Sequence, residues 1–94
     1  MTLTRACVVV HGRVQGVWFR GSLKSFAASK SVNGWVRNRL DGTVEALFEG
    51  IEEDVRAVVA WCGKGPSGAR VERVEVKWLP HEGEFDRMTI VPSL

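Results

Sequence analysis

The residues of this sequence best suited to chemistry lie together in Gly12-Arg13-Val14-Gln15-Gly16-Val17-Trp18-Phe19-Arg20. Before them, Arg5 to His11 reads as a strand, with β-branched Val8, Val9 and Val10. After them, Phe19, Leu23, Phe26 and Ala27 recur at helical spacing, so a helix is predicted from Phe19 to about Lys30. A strand that passes through a glycine-containing loop into a helix leaves a row of backbone N–H groups without partners. That row lies at the positive end of the helix dipole and suits an anion. Arg20 falls in the first helical turn, where a cation opposes the dipole and an acid would serve the helix better. Its planar fork can instead clamp a phosphate in two places. The stretch is a phosphate cradle, or it is a polar turn with a misplaced arginine.

Asn38 is the second candidate. It closes the short predicted strand Trp35-Val36-Arg37-Asn38, just before the Asp41-Gly42 hairpin signal. An amide donates to one partner and accepts from another at once, which is what holding a water in line with a bound phosphorus requires. The alternative is a turn-initiating asparagine, a position Asn favours. Other catalytic equipment is scarce. His11 ends a strand and His81 sits in a turn beside Glu82; neither belongs to a Ser/His/Asp set. No Cys, His or carboxylate cluster has metal-ligand spacing, and no metal or cofactor is expected.

A cradle without a general base restricts the reaction. Cleaving an ordinary phosphate ester requires an acid or a metal to stabilise the leaving alkoxide. A mixed carboxylic–phosphoric anhydride releases a carboxylate, which is stable unprotonated near neutral pH. Positioning a water and neutralising phosphate charge then suffices.

The elements that must position these residues follow from periodicity. After the first helix come the strand ending at Asn38 and a return strand, Thr43 to Glu49, with Val44, Ala46 and Phe48 inward and Thr43, Glu45 and Glu49 outward. Ile51, Val55, Val58, Val59 and Cys62 mark a second helix, begun by Glu52, Glu53 and Asp54 and stopped by Gly63, Gly65 and Pro66. Ala69 to Trp78 is a long strand and Phe85 to Val91 a last one. The order predicts an α+β fold, a ferredoxin-like βαββαβ sandwich. It comprises an antiparallel sheet, two helices on one face and a short extra C-terminal strand. In that fold the third strand lies between the second and the first, so Asn38 can approach the cradle.

Composition sets the limits. At 94 residues the chain is long enough for one core, so residues 1–94 are read as a single domain. A net charge of +2, with both signs interspersed, is too small to argue for nucleic acid or a membrane surface. The apolar runs are too short to span a bilayer, and Met1-Thr2-Leu3-Thr4 leads into a strand without a secretory segment. A cytoplasmic location is expected. Cys7 and Cys62 read as two buried thiols of a reducing compartment, although a disulfide stays open until their separation is known.

The motifs resemble those of the acylphosphatase family. Its first signature, a glycine followed by Val-Gln-Gly-Val, a variable residue, an aromatic and Arg, is matched by Gly12 to Arg20. Its second is matched by Gly34-Trp35-Val36-Arg37-Asn38, then Asp41-Gly42-Thr43-Val44 and Gly50. Gly65 to Val74 resembles the family's loop into its fourth strand. The resemblance implies hydrolysis of acyl phosphates to carboxylate and phosphate, without metal, cofactor or phosphoenzyme. It implies phosphoryl binding by the backbone of Gln15, Gly16, Val17, Trp18, Phe19 and Arg20. Arg20 would be the essential cation, and Asn38 would orient the attacking water. Phosphate or sulfate is the expected product-like ligand, and a monomer is the default state. Gly21 departs from expectation, because a better helix former belongs after the arginine.

Two other classes compete with this reading. A phosphate-binding or carbamoyl-phosphate-handling module would normally sit inside a larger protein, and a length of 94 residues counts against it. An RNA-binding ferredoxin-like domain would carry aromatics on its two central strands and a basic sheet face. The first strand has no aromatic, and Phe48 is assigned to the core.

Overall fold

The computed structural model describes all residues, 1–94. It contains β1 (Leu3–Arg13), α1 (Phe19–Ser29), β2 (Asn33–Asn38), β3 (Val44–Ile51), α2 (Glu52–Cys62), β4 (Arg70–Leu79) and β5 (Met88–Ile90). They form one five-stranded sheet in the order β4-β1-β3-β2-β5. The first four strands pair antiparallel, as expected of a ferredoxin-like fold. The short fifth strand runs parallel to β2, so the sheet as a whole is mixed.

The valine run explains why β1 is central. Ala6, Val8 and Val10 are fully buried on the face the helices cover. Leu23 and Ala27 of α1 and Val55, Val58 and Cys62 of α2 join them in one core with Val36, Ala46 and Phe48. Helix α1 packs over β2 and β5, and α2 over β1, β3 and β4. The helices meet through Trp61, which lies edge-on to Phe19 and stacks on Phe26 at centroid distances of 5.4 and 5.8 Å. Such pairs add to the area they bury. They also hold the first turn of α1 in place, because Phe19 is its first residue.

Where β1 ends, its register against β4 shifts between His11 and Gly12. Gly12 has φ +127, and a Cβ there would stand 2.1 Å from the Arg70 carbonyl oxygen. Only glycine fits this bulge, which turns the chain out of the sheet and into the loop.

Three expectations change on the open face of the sheet. The last strand is three residues long rather than seven, because residues 80–87 leave the sheet plane and fold across its open face. Glu49, expected to point to solvent, is buried beneath that segment with 3% exposure. Its carboxylate accepts the backbone N–H groups of Glu82, Gly83 and Glu84 and pairs with Arg5. Phe85, assigned to the strand, instead lies under the Arg5 guanidinium. The two cysteines are free and occupy opposite faces of the sheet. Cys62 is in the core, and Cys7 alternates with the buried Ala6 and Val8. Burial pushes the Cys62 thiol up to about 12, leaving it inert at neutral pH.

Candidate active site

Between β1 and α1 the chain makes a tight loop. Gly16 has φ 73, and Trp18, which caps α1, has φ 65 and ψ 30. Two left-handed residues flanking Val17 coil the backbone so that successive N–H groups turn to one side. From Gln15 to Gly21 none of these N–H groups meets an acceptor within the protein; the first helical bond runs from Ser22 N–H to the Trp18 carbonyl. No side chain caps α1, and its first turn carries no acid. The positive end of the helix is thus left open to an external anion.

A cavity of about 500 Å³ opens at this point. Its polar lining comes from the Gly16–Gly21 backbone, Arg20 and Asn38. The two side chains singled out from sequence therefore meet at one cavity, although β2 delivers one and α1 the other. Phe19 is turned inward against Trp61, which leaves its neighbours Trp18 and Arg20 at the mouth. Arg5, Arg37, Arg39, Arg56 and Arg73 all pair with carboxylates, but Arg20 pairs with none. The Asn38 side-chain amide likewise makes no hydrogen bond within the protein. No acid or imidazole lines the cavity. The arrangement is one cation, one free amide and a fan of N–H donors.

Gln15 is placed differently from its five companions. It does not line the cavity. Its side-chain amide reaches to the β2–β3 turn and donates to the carbonyls of Arg39 at 2.7 Å and Thr43 at 2.9 Å. Sequence reasoning used only the Gln15 backbone and missed this tie, which joins the loop to the hairpin carrying Asn38. A second tie was also missed. Leu94 N–H donates to the Asn38 carbonyl at 3.1 Å, and the Leu94 carbonyl accepts from Leu40 N–H at 2.8 Å. The turn itself closes with Asp41, whose carboxylate accepts both the N–H and the hydroxyl of Thr43. Those bonds, with the hydroxyl first, hold the Asp41 carboxyl below its ordinary range.

Gly21, the apparent lapse in helix design, has a local cause. A Cβ at this position would come within 2.8 Å of the Trp18 indole, which lies across the first turn of α1. The glycine makes room for the ring.

His11 sits away from the cavity, paired with Glu75 on the open face. Beside it Glu75 is held below the ordinary carboxyl range by that same hydrogen bond. His81 does not line the cavity either. Phe48 is fully buried, and Arg5, Arg37 and Arg73 on the open sheet face are paired with acids. On the same face Trp35 lies under the Arg37 guanidinium, and Phe85 lies under Arg5. No helix is long and apolar enough to cross a membrane.

Residues 6–90 match the family model named Acylphosphatase. An acylphosphatase of Pyrobaculum calidifontis is 52% identical over 92 residues, covering 97% of this chain and 84% of that protein. Among solved structures, the crystal structure of acylphosphatase from Bacillus subtilis superposes with a TM-score of 0.90 at 34% identity, covering 96% of this chain and 99% of that one. Full-length HypF in its phosphate- and nucleotide-bound form contains a similar unit, with a TM-score of 0.88 and 26% identity, covering 98% of this chain but 12% of that one.

Proposed function

This chain belongs to the acylphosphatase family, and from that premise we propose that it cleaves the carboxyl–phosphate bond of acyl phosphates by direct in-line attack of water. The observation that supports this reading most is the meeting of Arg20, Asn38 and the unpaired Gly16–Gly21 N–H groups at a single cavity. The N–H groups and the Arg20 fork take the equatorial phosphoryl oxygens, whose charge they neutralise best where water is excluded. The Asn38 amide accepts a hydrogen bond from the attacking water and donates to the phosphoryl group, which fixes the line of attack.

The bond from water oxygen to phosphorus forms as the bond from phosphorus to the acyl oxygen breaks. The electron pair leaves with the carboxylate, and the water's proton passes to a phosphate oxygen. No enzyme group takes part in that proton transfer, consistent with a lining that contains neither acid nor imidazole. The leaving carboxylate requires no protonation near neutral pH. A metal or covalent intermediate has no step to serve in this scheme.

The test is the loss of benzoyl phosphate in the presence of a chelator. Purified protein should accelerate it strongly, and Arg20→Ala should abolish the acceleration. A wild-type protein that leaves benzoyl phosphate at its spontaneous rate would overturn the proposal.

A further inference from the structure

The cavity is larger than its polar centre requires. A water occupies about 30 Å³, and a phosphoryl group is roughly two to three times that size. Most of the 500 Å³ therefore remains for the other half of a substrate. What lines that remainder is apolar. Val14 and Phe19 are buried and Val17 is half-buried, so most of the exposed apolar surface belongs to Trp18, at 79% exposure, and Ile90 of β5, at 43%. Arg20 is the only charged residue in the lining.

Trp18 is held there at a cost. Left-handed backbone is unfavourable for a bulky side chain, and an exposed indole gains little from burial. Yet its ring is seated over Gly21, where any side chain would collide with it. Strained backbone, a cleared seat and an apolar partner on a separate strand, all beside the same cavity, mark a surface kept for a ligand.

Resting on the reading above, we propose that Trp18 and Ile90 form an acyl-group subsite, selecting acyl phosphates with an aromatic or branched apolar acyl group. Acetyl phosphate offers these walls a single methyl group. An acyl chain bearing a second carboxylate would lose hydration there without gaining a cation, because the only cation present serves the phosphoryl group.

The experiment measures kcat/KM for benzoyl phosphate and acetyl phosphate on the wild type, Trp18→Asn and Ile90→Ser. Asn tolerates left-handed backbone, so the first variant removes the ring without adding strain. Each variant should lower the benzoyl-to-acetyl ratio about tenfold, the range expected for a few missing apolar contacts. The change in that ratio from wild type to variant cancels both intrinsic reactivity and any damage to the shared phosphoryl centre. Activity on both substrates with a ratio that neither variant changes overturns the subsite alone. A wild type that cleaves neither substrate overturns the functional reading together with it.

Discussion

The side-chain amide of Gln15 donates to the Thr43 carbonyl across 2.9 Å, binding the β1–α1 loop to the far side of the hairpin that carries Asn38. The same amide donates to the Arg39 carbonyl, so one side chain spans both ends of the turn. Arg20 lies at the start of α1 and Asn38 at the end of β2, the far ends of two consecutive elements, and their spacing depends in part on ties of this kind.

Removing that tie should disturb the reaction more than binding. Gln15→Leu keeps the size of the side chain and removes one of two donors from each carbonyl, since Arg39 N–H still serves Thr43 and Gly42 N–H still serves Arg39, so the cost is about 1 kcal/mol of stability. The β1–α1 loop keeps its own N–H groups, so inhibition by inorganic phosphate should change little. With Asn38 no longer fixed relative to the loop, kcat should fall by roughly tenfold to a hundredfold. Steady-state kinetics with phosphate as competitor measures both quantities. A parallel loss in the two would show that Gln15 serves the loop alone.

Asn38 and Arg20 should separate by the quantity they change. Asn38→Ala removes the water's partner and should lower kcat well beyond its effect on phosphate affinity. Arg20→Lys keeps the charge but loses the two-pronged geometry, so it should weaken phosphate binding and turnover together. If Arg20→Lys proves close to wild type, the cation acts as a point charge and the bidentate clamp is wrong.

How much of this was visible in the residues themselves differs from one feature to the next. The centrality of β1 was legible because Val8, Val9 and Val10 make both faces apolar. Arg20 stood out because it opposes its own helix dipole. Both are local signals. Glu49 looked like a solvent-facing position because alternation along β3 places it opposite Phe48. The segment that buries it arrives from more than thirty residues later. Gly21 looked like a flaw because helix propensity ignores a ring stacked from three residues back. Phe85 has strand character, but the Arg5 guanidinium and the pull of Glu49 on its neighbours take it out of the sheet. Periodicity reports what an element does to its own neighbours and misses what a distant loop does to it.

Glu49 should make the fold sensitive to acid. Burial alone would raise its carboxyl, but the three backbone donors and Arg5 outweigh that and hold it below its ordinary value. A carboxyl depressed in the folded state contributes stability that is present above its unfolded value of about 4.3 and is lost as pH falls through the folded one. Thermal melts from pH 7 to pH 3 should therefore show a declining Tm below about pH 4.5. Glu49→Gln should cost about 1–3 kcal/mol at neutral pH, since it removes the charged acceptor of three backbone N–H groups and leaves Arg5 with Glu82 and Glu84 alone. The same variant should flatten the acid limb. An acid limb of unchanged steepness would assign the sensitivity to other carboxyls.

The second tie to Asn38 can be cut with the side chains of the site left intact. Leu94 acts through its backbone: its N–H donates to the Asn38 carbonyl and its carbonyl accepts from Leu40, while its side chain is exposed. Leu94→Pro deletes the N–H and should release the end of β2. Leu94→Ala keeps both backbone bonds and should behave as wild type. The expected pattern for the proline variant is a kcat lowered by about tenfold, since a small misplacement of a water-positioning group is costly. Phosphate inhibition and Tm should stay close to wild type, because the core lies elsewhere. Equal activity in the two variants would show that Asn38 is held by the sheet and by Gln15 without help from the C-terminal residue.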